Sequence, residues 1–300
     1  MNTSVRMKIW SAIPTPLTET LQVDGASMAR SVEASVRDSV DGLFVAGTCG
    51  EGPWLTDKER AKLLECVVRS AAGRLKIAMQ VSDNSVPRIL ENMKVASSGG
   101  ADYAIIAAPA FLLNATDDRI AVHFFGAIDA SPLPVGIYDL GKHRQIVIPE
   151  DRLGELYRHP KVAIIKDSSG SESRRLVALA ARAQRPELVL LNGDEFRCIE
   201  YLEAGYDGVM FGGAVMTSRQ LRRIGELLNA GRREEAAVLD AEVKRRLYGV
   251  YGGESIQCWL TGLKYWMVRA GLFEGTASYL GYPLHEECKA FVEADAALHG

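Results

Sequence analysis

Apolar residues along this chain fall into two alternating patterns. Short runs rich in Val, Ile and Leu occupy 9–13, 43–46, 76–81, 103–107, 135–138, 162–166, 188–191 and 208–211. Runs of that length, bounded by turn residues, predict buried strands of a parallel sheet. Between them apolar positions recur at helical spacing, as in Met28, Val32, Ser35 and Val36, or Leu63, Leu64, Val67 and Val68. Thr56-Asp57-Lys58-Glu59 fits a capping box, and Pro149-Glu150-Asp151 places proline and acids in a first turn. Eight strand–helix units, with strand starts roughly 20–35 residues apart, predict a (β/α)8 TIM barrel rather than a doubly wound open sheet.

The barrel pattern is expected to fill a catalytic domain over 1–228. Residues 229–300 predict a C-terminal helical extension, with helices over 234–247, 256–270 and 285–298. Ile256, Trp259, Leu260, Leu263, Trp266 and Met267 form one apolar stripe there, suited to core packing or to an oligomer surface.

Composition narrows the class further. With 47% apolar and 24% charged residues the chain is globular, and a net charge of -3 gives no footprint for nucleic acid or an anionic membrane. No run approaches the ~20 apolar residues of a membrane span, and no signal-like stretch follows Met1–Arg6. The cysteines, Cys49, Cys66, Cys198, Cys258 and Cys288, are odd in number and form no C-x-x-C pair. The histidines show no ligand spacing. Reduced thiols in a cytoplasm and no metal site are therefore expected.

One residue breaks the apolar pattern in a chemically pointed way. The run Lys161-Val162-Ala163-Ile164-Ile165-Lys166-Asp167-Ser168-Ser169-Gly170 ends a strand on a lysine. Withdrawal from water disfavours the charged form of an amine, and a neutral amine condenses with a ketone to give a Schiff base. A strand-end lysine that merely reaches water is the plain alternative.

In a (β/α)8 barrel the reacting groups come from the C-terminal strand ends. Those ends here read Pro14-Thr15-Pro16, Gly47-Thr48-Cys49-Gly50-Glu51, Pro109-Ala110-Phe111, Tyr138-Asp139, Lys166-Asp167-Ser168, Asn192-Gly193-Asp194-Glu195 and Gly212-Gly213. The Thr48 loop could be a plain turn, or a carboxylate cradle of amides and a hydroxyl. Cys49 has no histidine placed to activate it and reads as a small buried side chain. Gly212-Gly213 could mark a phosphate site in an enzyme that works without an imine.

Together the Gly-Thr-x-Gly-Glu, Tyr and Lys-Asp-x-x-Gly motifs, in that order, resemble the dihydrodipicolinate synthase / N-acetylneuraminate lyase family. The resemblance runs from Ala12-Ile13-Pro14-Thr15-Pro16 to the final helices. It implies a class I Schiff-base lyase on a (β/α)8 barrel, typically homotetrameric and needing no cofactor. It implies that Lys166 forms the imine with pyruvate or a longer 2-oxo acid, and that Tyr138 shuttles protons. Thr48, with the amides around Cys49 and Gly50, would hold the substrate carboxylate. Gly193 and Met210 would lie near the pyruvyl group.

Departures from the family pattern bear on the substrate. A tyrosine common after the fourth strand is Phe111 here, and Tyr-Asn after the fifth is Tyr138-Asp139. The arginine expected next is unassigned among Lys142, His143 and Arg144. Ser168 beside the imine, with Asp194 and Glu195, suits a polyhydroxylated substrate. The expected reaction is aldol cleavage of a 2-oxo-3-deoxy sugar acid, or a related 4-hydroxy-2-oxo acid, to pyruvate and an aldehyde. Dehydration of such an acid, a dihydrodipicolinate synthase-type condensation, and a non-catalytic 2-oxo acid sensor are the alternatives.

Overall fold

The structure, a computed structural model, describes residues 6–299. Its elements alternate as the pattern predicts: β1 (Lys8–Ser11), α1 (Gly25–Arg37), β2 (Gly42–Val45), α2 (Asp57–Ala71), β3 (Lys76–Gln80), α3 (Val86–Ser98), β4 (Tyr103–Ala107), α4 (Asp117–Asp129), β5 (Val135–Asp139), α5 (Glu150–Arg158), β6 (Val162–Asp167), α6 (Glu172–Gln184), β7 (Val189–Asn192), α7 (Cys198–Glu203), β8 (Gly208–Phe211) and α8 (Ala214–Asn229). Three further helices follow, α9 (Arg233–Tyr251), α10 (Trp259–Arg269) and α11 (Glu286–His299). The strands close in sequence order, β1 through β8, into a barrel. This is the TIM barrel expected from the sequence, followed by a helical C-terminal region.

Two compact units make up the chain: one takes the residues up to Leu75 and those from Gly212 on, the other runs Lys76–Phe211. In the first, Trp10 pairs with Gly42 across β1 and β2. A Cβ on Gly42 would lie 2.6 Å from the Trp10 ring, so only glycine admits that indole. The C-terminal helices are tied by a buried polar knot. Arg246 on α9 binds both carboxylate oxygens of Asp295 on α11 at 2.8 Å, and the Trp266 indole of α10 donates to the same carboxylate at 2.9 Å. Leu260, Leu263, Trp266 and Met267 are buried, which makes core packing the main work of the α10 stripe.

In the second unit β3 to β8 pair in parallel register, with Ala107, Tyr138, Lys166 and Leu191 in one row. Asp139, Asp167 and Asn192 form the next row. Successive strand residues point to opposite faces, so the two rows present opposite sides of the sheet.

Several element edges differ from the sequence expectation. β5 and β6 each run one residue further, onto the buried acids Asp139 and Asp167. β1 stops at Ser11, although Ala12 and Ile13 stay buried before Pro14. α10 begins at Trp259, because Ile256 takes a left-handed φ of 47°. Only half of the predicted capping box closes. Thr56 Oγ1 accepts the Glu59 amide at 3.2 Å, while the Glu59 carboxylate accepts the Val23 amide at 2.6 Å.

Candidate active site

Lys166 and Tyr138 are registered partners at the ends of β6 and β5. Each is at least nine-tenths buried, and the Lys166 Nζ lies 4.2 Å from the centroid of the Tyr138 ring. That separation lets the ring face stabilise a cation on the nitrogen while the phenol stays in reach of whatever the nitrogen binds. The backbone ladder continues beyond both strands: the Ser168 amide donates to Asp139 O at 2.8 Å and the Gly193 amide to Asp167 O at 2.7 Å. Gly193 is thereby pressed against the pair. A Cβ there would sit 1.9 Å from Ser168 Oγ and 2.9 Å from Lys166 Cε. Ser168 Oγ is buried and has no hydrogen-bond partner. Met210 on β8 is fully buried. Asp194 is half-buried and spends Oδ1 on the Phe196 amide at 3.1 Å, leaving it a structural turn-former as well as a candidate ligand.

Behind this row lie two buried carboxylates, one paired with an arginine and one held by hydroxyls and an amide. Arg174 of α6 binds Asp139 through both oxygens, the Tyr157 hydroxyl of α5 donates to Oδ2 at 3.0 Å, and the Gly141 amide donates to Oδ1 at 3.0 Å. Burial works against the Arg174 charge, but the Asp139 carboxylate holds its pKa above the ordinary value. Burial, then the charges of Asp139 and Asp167, push the Tyr157 phenol well up. Asp167 has hydroxyl and amide partners instead, Tyr206 OH at 2.7 Å, Ser169 Oγ at 2.6 Å and the Ser169 amide at 2.9 Å. Burial raises its pKa, against the pull of those donors. Lys142 and His143 are exposed in a short 3-10 turn and Arg144 is half-exposed. The arginine bound to the acid beside Tyr138 is Arg174.

Thr48, Cys49 and Gly50 belong to the other compact unit. Their turn is closed by the Gly52 amide donating to Gly47 O at 3.1 Å and by Thr15 Oγ1 donating to Gly50 O at 2.6 Å. Cys49 is buried and Thr48 half-buried. Glu51, the last residue of that motif, is fully buried against Lys264 of α10.

The family model of the dihydrodipicolinate synthetase family matches residues 6–293. The chain belongs to that family. Membership makes it an enzyme of the Schiff-base, pyruvate-utilising lyase and condensing kind. The chain is 30% identical over 201 residues to the 4-hydroxy-tetrahydrodipicolinate synthase of an Exiguobacterium species, covering 67% of each chain. It is 27% identical over 246 residues to the same-named protein of Listeria welshimeri, covering 81% of this chain and 83% of that one. Its fold is similar to a prophage protein of the dihydrodipicolinic acid synthase family from E. coli, solved with pyruvate. There the TM-score is 0.86 at 19% identity, covering 97% of this chain and 98% of that one. It is equally similar to CdNal from Clostridium difficile, solved with mannosamine, at TM-score 0.87 and 17% identity over 98% and 99% of the two chains.

Two features of this family member escape a reading of its sequence, the Asp139–Arg174–Tyr157 cluster and the Glu51–Lys264 pair. Each left a trace. A buried acid ending an apolar strand needs a cation or hydrogen-bond donors, and Lys264 stands on the apolar stripe of α10 between Leu260 and Met267. Among the described residues no group of three or more His, Cys, Asp or Glu is placed to hold a metal ion, and no helix is long and apolar enough to cross a membrane. The five cysteines are buried.

Proposed function

We propose that this enzyme is an aldolase that releases pyruvate from a 2-oxo-3-deoxy sugar acid or a related 4-hydroxy-2-oxo acid. The observation that carries the reading is the Lys166–Tyr138 pair, with Nζ 4.2 Å from the ring centroid. Lys166 Nζ attacks the 2-oxo carbon, and loss of water leaves a protonated imine. The phenol of Tyr138 gives its proton to the departing water. The C3–C4 bond then breaks, its electron pair flowing into the imine to form an enamine, while the C4 hydroxyl returns a proton to the Tyr138 phenolate and the C4 fragment leaves as an aldehyde. Protonation at C3 and hydrolysis release pyruvate and the free lysine. Thr48 and the amides around Cys49 and Gly50 receive the carboxylate, with Gly193 and Met210 lining the pyruvyl end. The unpartnered Ser168 hydroxyl supports a hydroxylated substrate, since a ligand hydroxyl would satisfy it.

The similar proteins named 4-hydroxy-tetrahydrodipicolinate synthase favour a second reading, a condensation of the dihydrodipicolinate synthase type. Against it stands Phe111, 62% exposed and without a hydroxyl where the family commonly has tyrosine. Borohydride treatment with pyruvate is expected to add a reduced pyruvyl mass at Lys166, and a 2-oxo acid panel is expected to yield pyruvate and an aldehyde. Turnover by Lys166→Ala would sink the imine. Pyruvate consumed only when an aldehyde partner is supplied would select condensation, and a product retaining the whole carbon chain would select dehydration.

A further inference from the structure

Lys264 occupies a position where packing alone would select an apolar residue. It lies on the buried stripe of α10, and its side chain and that of Glu51 are both 0% exposed. Its ammonium binds Glu51 Oε1 and donates to Ala277 O at 2.6 Å. Glu51 Oε2 accepts the Ser278 hydroxyl at 2.9 Å and the Tyr279 amide at 2.6 Å. Burial pushes the Lys264 ammonium below its ordinary pKa, with the Glu51 carboxylate opposing that shift.

The turn that this pair grips is strained. Ala46 and Glu51 both have a φ of 56°, a left-handed conformation costing roughly 1–2 kcal/mol per non-glycine residue. Gly52 is packed so closely that a Cβ would lie 1.8 Å from Ala46 O. A backbone held in such states persists only when its surroundings over-determine it. The surroundings here are 264–279, and the residues between the strained positions include Thr48 and Cys49.

We propose that the buried Glu51–Lys264 pair is the positioning device of the 47–52 turn, fixing Thr48 and the amides around Cys49 for the carboxylate of a 2-oxo acid. The inference rests on the carboxylate-binding role proposed for that turn. It makes the helical extension a determinant of substrate affinity, with Lys264 acting through the turn.

The test is borohydride trapping of the full chain across a range of pyruvate concentrations. Lys264→Met is expected to raise the half-trapping concentration about tenfold or more, the scale on which a displaced binding group acts, while the saturated yield of adduct at Lys166 is unchanged. Pyruvamide, which keeps the ketone and lacks the carboxylate, is expected to trap equally in both proteins. Lys264→Arg is expected to restore most of the pyruvate affinity. Should Lys264→Met fail to fold, the double variant Glu51→Met with Lys264→Met leaves no bare charge and carries the same expected shift. A folded variant that traps pyruvate at the wild-type concentration, while Thr48→Ala needs more, overturns the clamp. If Thr48→Ala also leaves the concentration unchanged, the carboxylate role of the turn fails, and the clamp with it.

Discussion

Arg174 grips both carboxylate oxygens of Asp139, Nε to Oδ2 and Nη2 to Oδ1 at 2.8 Å each, with the two side chains only 4% and 1% exposed. The pair stands directly behind Tyr138, so the acid that replaces the common asparagine is neutralised on the helix side. Removing one partner of such a pair strands a charge away from water. Arg174→Met is therefore expected to lose about 3–5 kcal/mol in urea denaturation. Adding Asp139→Asn is expected to recover more than half of that loss. No recovery would mean that Arg174 acts mainly through its bond to Ile148 O at 3.0 Å.

Tyr138→Phe keeps the ring beside Lys166 and deletes the proton carrier. Its kcat is expected to fall by about 10²- to 10⁴-fold, the usual worth of a positioned acid–base group. Borohydride trapping at Lys166 should persist at saturating pyruvate, because the ring face remains. Equal loss of trapping and turnover would show that the phenol serves imine formation as well as bond cleavage.

Gly193→Ala places a methyl group 1.9 Å from Ser168 Oγ and 2.9 Å from Lys166 Cε. Ser168 can rotate away, but the lysine stem is held in a packed row. The variant is expected to fold with a stability loss of about 1–3 kcal/mol, the range for overpacking, and to lose most adduct formation. Intact-mass measurement after borohydride treatment checks this, and full adduct yield would show that Lys166 has room to move.

Glu200 gives a pH signature away from the reacting pair. Hydrogen bonds from Arg197 and then Arg175 hold its carboxyl down to about 2. An unfolded-chain glutamate titrates near ~4.3, so the folded state favours the carboxylate. The resulting stabilisation is complete above the unfolded value and is lost as pH falls through about 2. With the side chain 42% exposed, solvent screening keeps the effect small. Glu200→Gln is expected to lower the denaturation midpoint at pH 6 and to lie closer to wild type at pH 3. A gap independent of pH would assign the loss to packing.

The sequence by itself determined the alternation of eight strands and helices, because each buried strand and each amphipathic helix writes its period locally. β4 and β8 fall on the expected 103–107 and 208–211. It also marked Lys166, since an ammonium closing a Val- and Ile-rich run is visible without any partner. The ends of β5 and β6 were less legible. Asp139 and Asp167 look like turn residues until Arg174 and Tyr206, 35 and 39 positions further on, arrive to bind them. Lys264 meets Glu51 across 213 residues, and no local window contains both. Only the tertiary structure decided those pairings, because a buried carboxylate or ammonium is tolerated where folding delivers a counter-charge or hydrogen-bond donors, and that delivery is set by how distant segments pack.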